Sequence, residues 1–547
     1  MPRRHLRLAA PPDLVHRALE ELREEAGIPV APPAAVADEA RDAAERLAAV
    51  IEHAAGGDLA AADAVPSGIE RPRLTDARDV PLVTIDPPQS TDLDQAVHLE
   101  RRAGGGWRID YAIASLAEVV TPGGALDADV HARAVTVYGP TGSFPLHPPE
   151  ISSGICSLLP QRDAIALLWS IELDASGAIA GTDLRRALVR SRAKLGYSRV
   201  QAAADGHATL PDDAPATLPG VLREVGEIRA AREIARGGAS LNLPEQEVVQ
   251  ERGGFRLRLR SGLPAEAWNA QISLTTGIAA ARLMAEHGVG VLRTLPDADP
   301  RDVRRLRRTA AALGIPWAPQ ESYGQVLARM DAAQPTHVAF LDQATTLFRG
   351  SGYRVLTGPL PPETADAAGA GAAVGDEWRH AAIAARYAHV TAPLRRLVDR
   401  YGLEACLAQR AGTAVPGWVL DGLATVSADM AAGTRRAGFY ERGAVDAVEA
   451  LLLADRVGEV VDAVVVDVEQ PRRTSGRATD DAPDRATGAA ADPSGARPVL
   501  RGSAVVTEPA VQCRIEGPGL IEGSRIPARV AQVDVAARRV VLAPAAG

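Results

Sequence analysis

An α+β fold is predicted from three observations on the 547-residue chain. Segments with apolar residues at helical spacing recur along its length, short β-rich runs sit among them without regular alternation, and a group of short strands gathers at the C-terminal end. The length exceeds that of one ordinary domain, so a large mixed-sheet core with smaller domains at its ends is expected.

Residues 12–56 carry the first helical spacing. Leu14, Ala18, Leu19 and Leu22 are followed by an alanine-rich segment from Ala35 to Ala54, giving a helical N-terminal region assigned to residues 1–75. A turn-rich stretch through Pro66, Gly68 and Pro72 leads to Pro81–Asp86, a β-rich run that opens a core assigned to residues 76–455. Strands are expected at Trp107–Ile113 and Ala164–Leu173, and helices at Ala265–Glu286, Arg301–Leu313, His380–Arg410 and Val426–Val457. Residues 456–547 hold β runs at Val460–Val468, Gly502–Val506, Val511–Ile515 and Ile526–Leu542, the spacing of a small barrel. Within them residues 469–498 are rich in Arg, Thr, Ala, Asp, Gly and Pro without apolar periodicity, and disorder is expected there.

Although 46% of residues are hydrophobic, no stretch long enough to span a bilayer is free of charge, so no membrane association is expected. The basic N-terminus runs into Pro11, Pro12 and Asp13 where a signal peptide needs an apolar region. Three cysteines, Cys156, Cys406 and Cys513, lack the paired spacing of a zinc or redox motif, and a cytoplasmic location is expected. A net charge of −9 argues against a protein that coats nucleic acid through bulk charge; a polyanion would have to meet a local basic surface.

The segment Thr84-Ile-Asp86-Pro-Pro-Gln-Ser-Thr-Asp92-Leu-Asp94-Gln95 sets acid where prolines forbid a simple helix. In an extended run Asp92 and Asp94 aim at a common point, and the Pro87-Pro88 bend folds Asp86 back beside them. Clustered carboxylates repel unless a cation sits between them, and oxygen donors without Cys or His select magnesium or manganese over zinc. Such ions activate water for phosphoryl chemistry. An ordinary acidic turn, with aspartates capping backbone N–H groups, is the alternative.

A second segment, His389-Val-Thr391-Ala-Pro393-Leu-Arg395-Arg396, reads as the start of a helix with Thr391 as cap and Arg395 in the first turn, where a guanidinium suits a phosphodiester. Arg396 reads more readily as a solvated helix face. Between the two segments, residues 184–199 carry Arg185, Arg186, Arg190, Arg192, Lys194 and Arg199 with Tyr197, a candidate RNA track of basic residues and a stacking ring.

Together these segments resemble the ribonuclease II (RNB) family of 3′-to-5′ exoribonucleases. Thr84-Ile-Asp-Pro87 and Asp92-Leu-Asp-Gln-Ala96 match its core motif, followed in family order by Tyr111-Ala-Ile-Ala114, Pro122-Gly-Gly-Ala-Leu-Asp127, Val137-Tyr138, Ile155-Cys-Ser-Leu-Leu-Pro160, Lys194-Leu-Gly-Tyr197, Leu243-Pro-Glu245 and His389–Arg396. The resemblance implies an RNB-type catalytic core with an OB-like C-terminal barrel, and metal-dependent hydrolysis of single-stranded RNA to nucleoside 5′-monophosphates. It implies Asp86, Asp92 and Asp94 as catalytic and, with Gln95, metal-binding residues, and Arg395 as an aid at the scissile phosphate. Tyr138 and Tyr197 would contact the last nucleotides, and Lys194, Arg192 and Arg396 the RNA backbone. Magnesium, with manganese as substitute, is the expected cofactor, single-stranded RNA the expected partner, and no obligate protein partner is evident. A catalytically weakened RNA-binding regulator on the same fold is the competing expectation. It is motivated by Gln95, which stands where the family has a fourth aspartate, and by Leu241, Gln271 and Gly277, which depart from the family's RNA clamp. The few helical residues before about 80 stand where the family carries paired cold-shock barrels, so RNA capture is expected to rest on other surfaces.

Overall fold

Two long antiparallel strands, Asp163–Leu173 and Ile179–Arg190, form the middle of a five-stranded sheet. The order across the sheet is Thr75–Asp76, Ile179–Arg190, Asp163–Leu173, Trp107–Ala114, Gln95–Arg101. All neighbours are antiparallel except Thr75–Asp76, which runs parallel to Ile179–Arg190. The near-continuous apolar run from Ala164 to Ile171 is buried on both faces of its strand, which explains the absence of a polar alternation there. This is a computed structural model, and it describes residues 6–8, 13–60, 71–241, 243, 245–251, 254–331, 334–363, 376–469, 499–507 and 510–545.

Helices α1 (Asp13–Glu25) and α2 (Ala34–Ala55) form the N-terminal region, burying Val15, Leu19 and Leu22 on one and Leu47 and Ile51 on the other. Then come α3 (Ala125–Arg133), α4 (Tyr197–Ala204), α5 (Leu218–Ala235) and α6 (Pro264–His287). Helices α7 (Pro300–Ala312), α8 (Tyr323–Ala328) and α9 (Pro335–Ala344) enclose a separate small core around Leu306, Phe340 and Leu341. The series ends with α10 (Leu397–Ala411) and α11 (Gly417–Leu453). Helices α2, α6 and α10 pack on the central strands.

The expected helix from His380 to Arg410 is corrected: only Leu397–Ala411 is helical. Arg379–His380 and Ala385–Arg386 pair as short strands, and the chain from Tyr387 to Arg396 is irregular. A buried ion network ties the chain before the core to the sheet and α10. Arg186 donates to both Glu118 oxygens at 2.8 Å, and Arg71 reaches Glu118 at 3.3 Å and Glu404 at 2.6 Å. Burial raises the Glu118 pKa, but Arg71 and Arg186 outweigh it and hold the carboxylate below its usual range.

At the C-terminal end five strands close into a barrel in the order Val460–Val468, Leu500–Thr507, Ala510–Gly517, Arg539–Pro544, Arg525–Asp534. Alternate residues such as Val461, Ala463 and Val465 face its interior. The single run expected over Ile526–Leu542 is two strands, joined where Asp534 accepts from the Ala537 N–H and Arg538 takes a positive φ of 55°. The barrel packs on α11, and Arg538 pairs with Glu25 of α1 at 2.9 Å. The stretch expected to be disordered lies, apart from Glu469, outside the described residues. Among the described residues no helix is long and apolar enough to cross a membrane.

Candidate active site

Hydrogen bonds from three directions hold the acidic segment. Thr84–Ile85 runs parallel to Lys194–Leu195, so the Asp86 N–H donates to the Leu195 carbonyl at 3.0 Å. Pro87–Ser90 then turns, with the Ser90 N–H on the Pro87 carbonyl. Leu93, fully buried, is bracketed by Ser157, whose hydroxyl accepts from the Leu93 N–H at 3.0 Å and donates to the Thr91 carbonyl at 2.7 Å. Burying that leucine is worth roughly 1.5–3 kcal/mol and leaves its neighbours Asp92 and Asp94 little freedom. Lys194 completes the clamp, donating to the Pro88 and Ser90 carbonyls at 2.7 and 2.5 Å.

The second segment comes to the same place across 300 residues of sequence. Asp94 Oδ1 accepts from the Leu394 N–H at 2.8 Å, and Asp94 Oδ2 lies 3.6 Å from Arg395 Nε. Asp399 Oδ1 accepts from the Ala392 N–H at 2.7 Å, and the Gln95 amide nitrogen donates to the Thr391 carbonyl. His147 Nδ1 reaches the Leu394 carbonyl at 3.0 Å. These contacts replace the expected helix start at Thr391: N–H groups that would begin a helix are given to carboxylates, and α10 begins only after Arg396. Arg395 is therefore on a turn ahead of the helix. Its exposed guanidinium hydrogen-bonds the Tyr138 hydroxyl.

Partial burial raises the Asp86 carboxyl to about 6, with Arg395 pulling down, Asp92 pushing up and Lys194 pulling down. The almost fully buried Asp94 is pushed up to about 8 against the pull of Arg395 and the Leu394 N–H, with Asp92 adding to the rise. Asp92 and Arg395 thus act on both Asp86 and Asp94, so the three aspartates and the arginine share one electrostatic site short of positive charge.

Among the described residues no three His, Cys, Asp or Glu side chains converge closely enough to cage an ion. The donors on hand are carboxylate oxygens, on acids whose charge Arg395 and Lys194 offset only in part. That set fits a magnesium-like ion, which takes one or two carboxylates and fills its shell with water and phosphate oxygens.

Tyr197 opens α4 beside this site, with Asn269 of α6 donating to its hydroxyl at 3.3 Å. Burial pushes its phenol up to about 12, so it stays protonated at neutral pH. Of the basic residues expected on RNA, Lys194 clamps the acidic loop, Arg192 reaches the Asp79 carbonyl at 3.1 Å, and Arg396 forks onto Asp399 at 2.9 and 2.8 Å. The RNA-track reading of residues 184–199 is corrected at Arg186, which is fully buried in its ion pair with Glu118. Gln271 turns to Glu233 at 2.6 Å, Leu241 packs against the α7–α9 core, and a Cβ on Gly277 would stand 2.1 Å from the Tyr387 ring. Sequence reasoning assigned no role to Tyr111, whose hydroxyl shares a 2.8 Å hydrogen bond with Ser273, or to Asp399 and His147. Asp399, three residues from Arg396, had a local signal; His147 had none.

The chain is 30% identical to Ribonuclease R of Escherichia coli (strain K12) over 246 residues, 44% of this chain and 30% of that relative's own length. Among solved structures it is similar to Mycoplasma genitalium RNase R in complex with ribose methylated single-stranded RNA. There the TM-score is 0.74 at 16% identity, covering 97% of this chain and 78% of that one. The fold is also similar to that of yeast Ssd1, a pseudonuclease, with a TM-score of 0.57 at 14% identity over 85% of this chain and 52% of that one. The RNB domain family model matches residues 74–403, more than half of the chain and spanning both segments of the site, and the chain therefore belongs to the RNB domain family.

Proposed function

We propose that this protein is a metal-dependent 3′-to-5′ exoribonuclease that degrades single-stranded RNA in the cytoplasm to nucleoside 5′-monophosphates, with magnesium or manganese as its ion. The observation that carries this reading is Asp94, which meets both the Leu394 N–H and Arg395 and so joins the acidic loop to the arginine turn. A divalent ion bound through one or two of the Asp86, Asp92 and Asp94 carboxylates, with water and phosphate oxygens completing its shell, would supply an activated water and neutralise phosphate charge. The chain's own residues do the rest. Arg395, oriented by Asp94 on one side and the Tyr138 hydroxyl on the other, offers its guanidinium to the charge that develops on the scissile phosphate. The half-buried rings of Tyr138 and Tyr197 flank the site and suit stacking on the last bases, which demands no particular sequence. Lys194 acts through the loop it clamps, and Arg192 and Arg396 retain a secondary role along the RNA backbone.

A non-cleaving RNA-binding regulator is the second reading, favoured by Gln95 and by the occurrence of this fold in a pseudonuclease. An oligoribonucleotide labelled along its length separates the two. Stepwise loss of 5′-monophosphates from the 3′ end with magnesium or manganese supports the enzyme. Tight binding by the pure protein with no product under either ion overturns it.

A further inference from the structure

Consecutive residues of the acidic segment grip opposite ends of one turn. Asp94 takes the Leu394 N–H through Oδ1, while Gln95 donates its amide nitrogen to the Thr391 carbonyl. The direction of the second bond is unambiguous, because a carbonyl oxygen only accepts and the amide nitrogen is the only donor on a glutamine side chain. Gln95 has a firm base from which to hold the turn, since it begins the Gln95–Arg101 strand and is paired in register with Ile113 of the neighbouring strand. The turn is further fixed by the Ala392 N–H on Asp399 and an internal bond from the Arg395 N–H to the Ala392 carbonyl at 3.2 Å. Its product is the location of Arg395.

We infer that Gln95 is a positioning residue, holding the Thr391–Arg396 turn and through it Arg395, and that its contribution to the reaction is made through this turn instead of through metal ligation. The inference rests on the phosphodiesterase reading of the site. An ionised acid at this position cannot make the bond. A carboxylate has no N–H to give, and its oxygens would face the lone pairs of the Thr391 carbonyl. The site therefore trades one negative charge for one strut, and restoring the acid breaks the strut.

Gln95→Glu keeps the length of the side chain, removes the donor and adds a negative charge, whereas Gln95→Leu removes the donor without adding charge. The expected result is a fall in kcat of roughly 10–100-fold, the scale of a misplacement of about 1 Å, with KM for RNA and Mn2+ affinity by electron paramagnetic resonance not weakened. Hydrogen–deuterium exchange over residues 391–396 should rise while exchange in the barrel stays unchanged. Gln95→Leu, which cannot ligate and cannot donate, should match Gln95→Glu in both kcat and exchange. Tighter Mn2+ binding by Gln95→Glu with kcat kept or raised would overturn the inference, as would unchanged exchange over the turn. The exchange readout needs no turnover, so it decides the role of Gln95 even if the pure protein cleaves no RNA.

Discussion

The meeting of the acidic loop with the Thr391–Arg396 turn and the C-terminal barrel are built on opposite principles. The first is irregular backbone made rigid by side chains: Ser157, Lys194, Asp94, Gln95 and Asp399 each hold a main-chain group. The second is regular backbone closed on itself, with small apolar residues inside and exposed arginines such as Arg514 and Arg529 outside. They also differ in what they can offer a base. Every Trp, Tyr and Phe of the chain lies between Trp107 and Tyr440, so the barrel has no aromatic ring at all. On the proposed function, stacking would fall to the core, where Tyr138 and Tyr197 flank the acids, and a barrel without rings would contribute to RNA binding only through guanidinium–phosphate contacts and hydrogen bonds.

Asp94→Asn breaks this comparison most severely. Asp94 serves Arg395, the turn and the proposed ion together, so its loss should lower kcat by roughly 10⁴-fold, as for one member of a catalytic unit. RNA affinity and the barrel should be little changed, as measured by single-turnover kinetics beside an equilibrium binding isotherm. The same carboxyl governs a pH effect. Asp86 and Asp94 have folded-state pKa values of about 6 and about 8, above the ordinary carboxyl value of 3.8. The folded, ion-free protein therefore binds more protons than the unfolded chain between about pH 4 and pH 8. The stability these groups contribute is fully present at the acid end and is lost as pH rises through about 6 and then about 8. Melting curves should show this fall in chelator and a smaller one with magnesium, and Asp94→Asn should flatten the upper part.

A smaller effect separates the two regions directly. Tyr197→Ala should weaken binding of a short oligoribonucleotide by about 1–3 kcal/mol, the usual worth of one stacked base. Arg514→Gln with Arg529→Gln in the barrel should cost less, and should appear mainly as a salt slope shallower by up to about 0.7 for each phosphate no longer neutralised. A barrel double variant that weakened affinity more than Tyr197→Ala would reverse the comparison.

The two regions were also legible in the sequence to different degrees. The barrel follows from the spacing of short β runs, a local signal, and the break at Asp534–Arg539 was missed. The acidic loop was legible because its aspartates are close together and flanked by prolines. The arginine turn was misread as a helix start because its capping chemistry is real but its partners are distant: the Ala392 and Leu394 amides belong to Asp399 and to Asp94, and no local pattern shows the latter. Arg186 was misjudged for a similar reason. A basic run looks the same whether its charges face RNA or, as at Arg186, a buried Glu118.

The central claim is that two segments 300 residues apart act as one site, and a double-mutant cycle on kcat tests it. Asp94→Asn, Arg395→Gln and the double variant should be strongly non-additive, with Arg395→Gln costing roughly 10²–10³-fold in the native background and little once Asp94 is gone. Costs that simply multiply would show the two residues acting independently and would contradict the account.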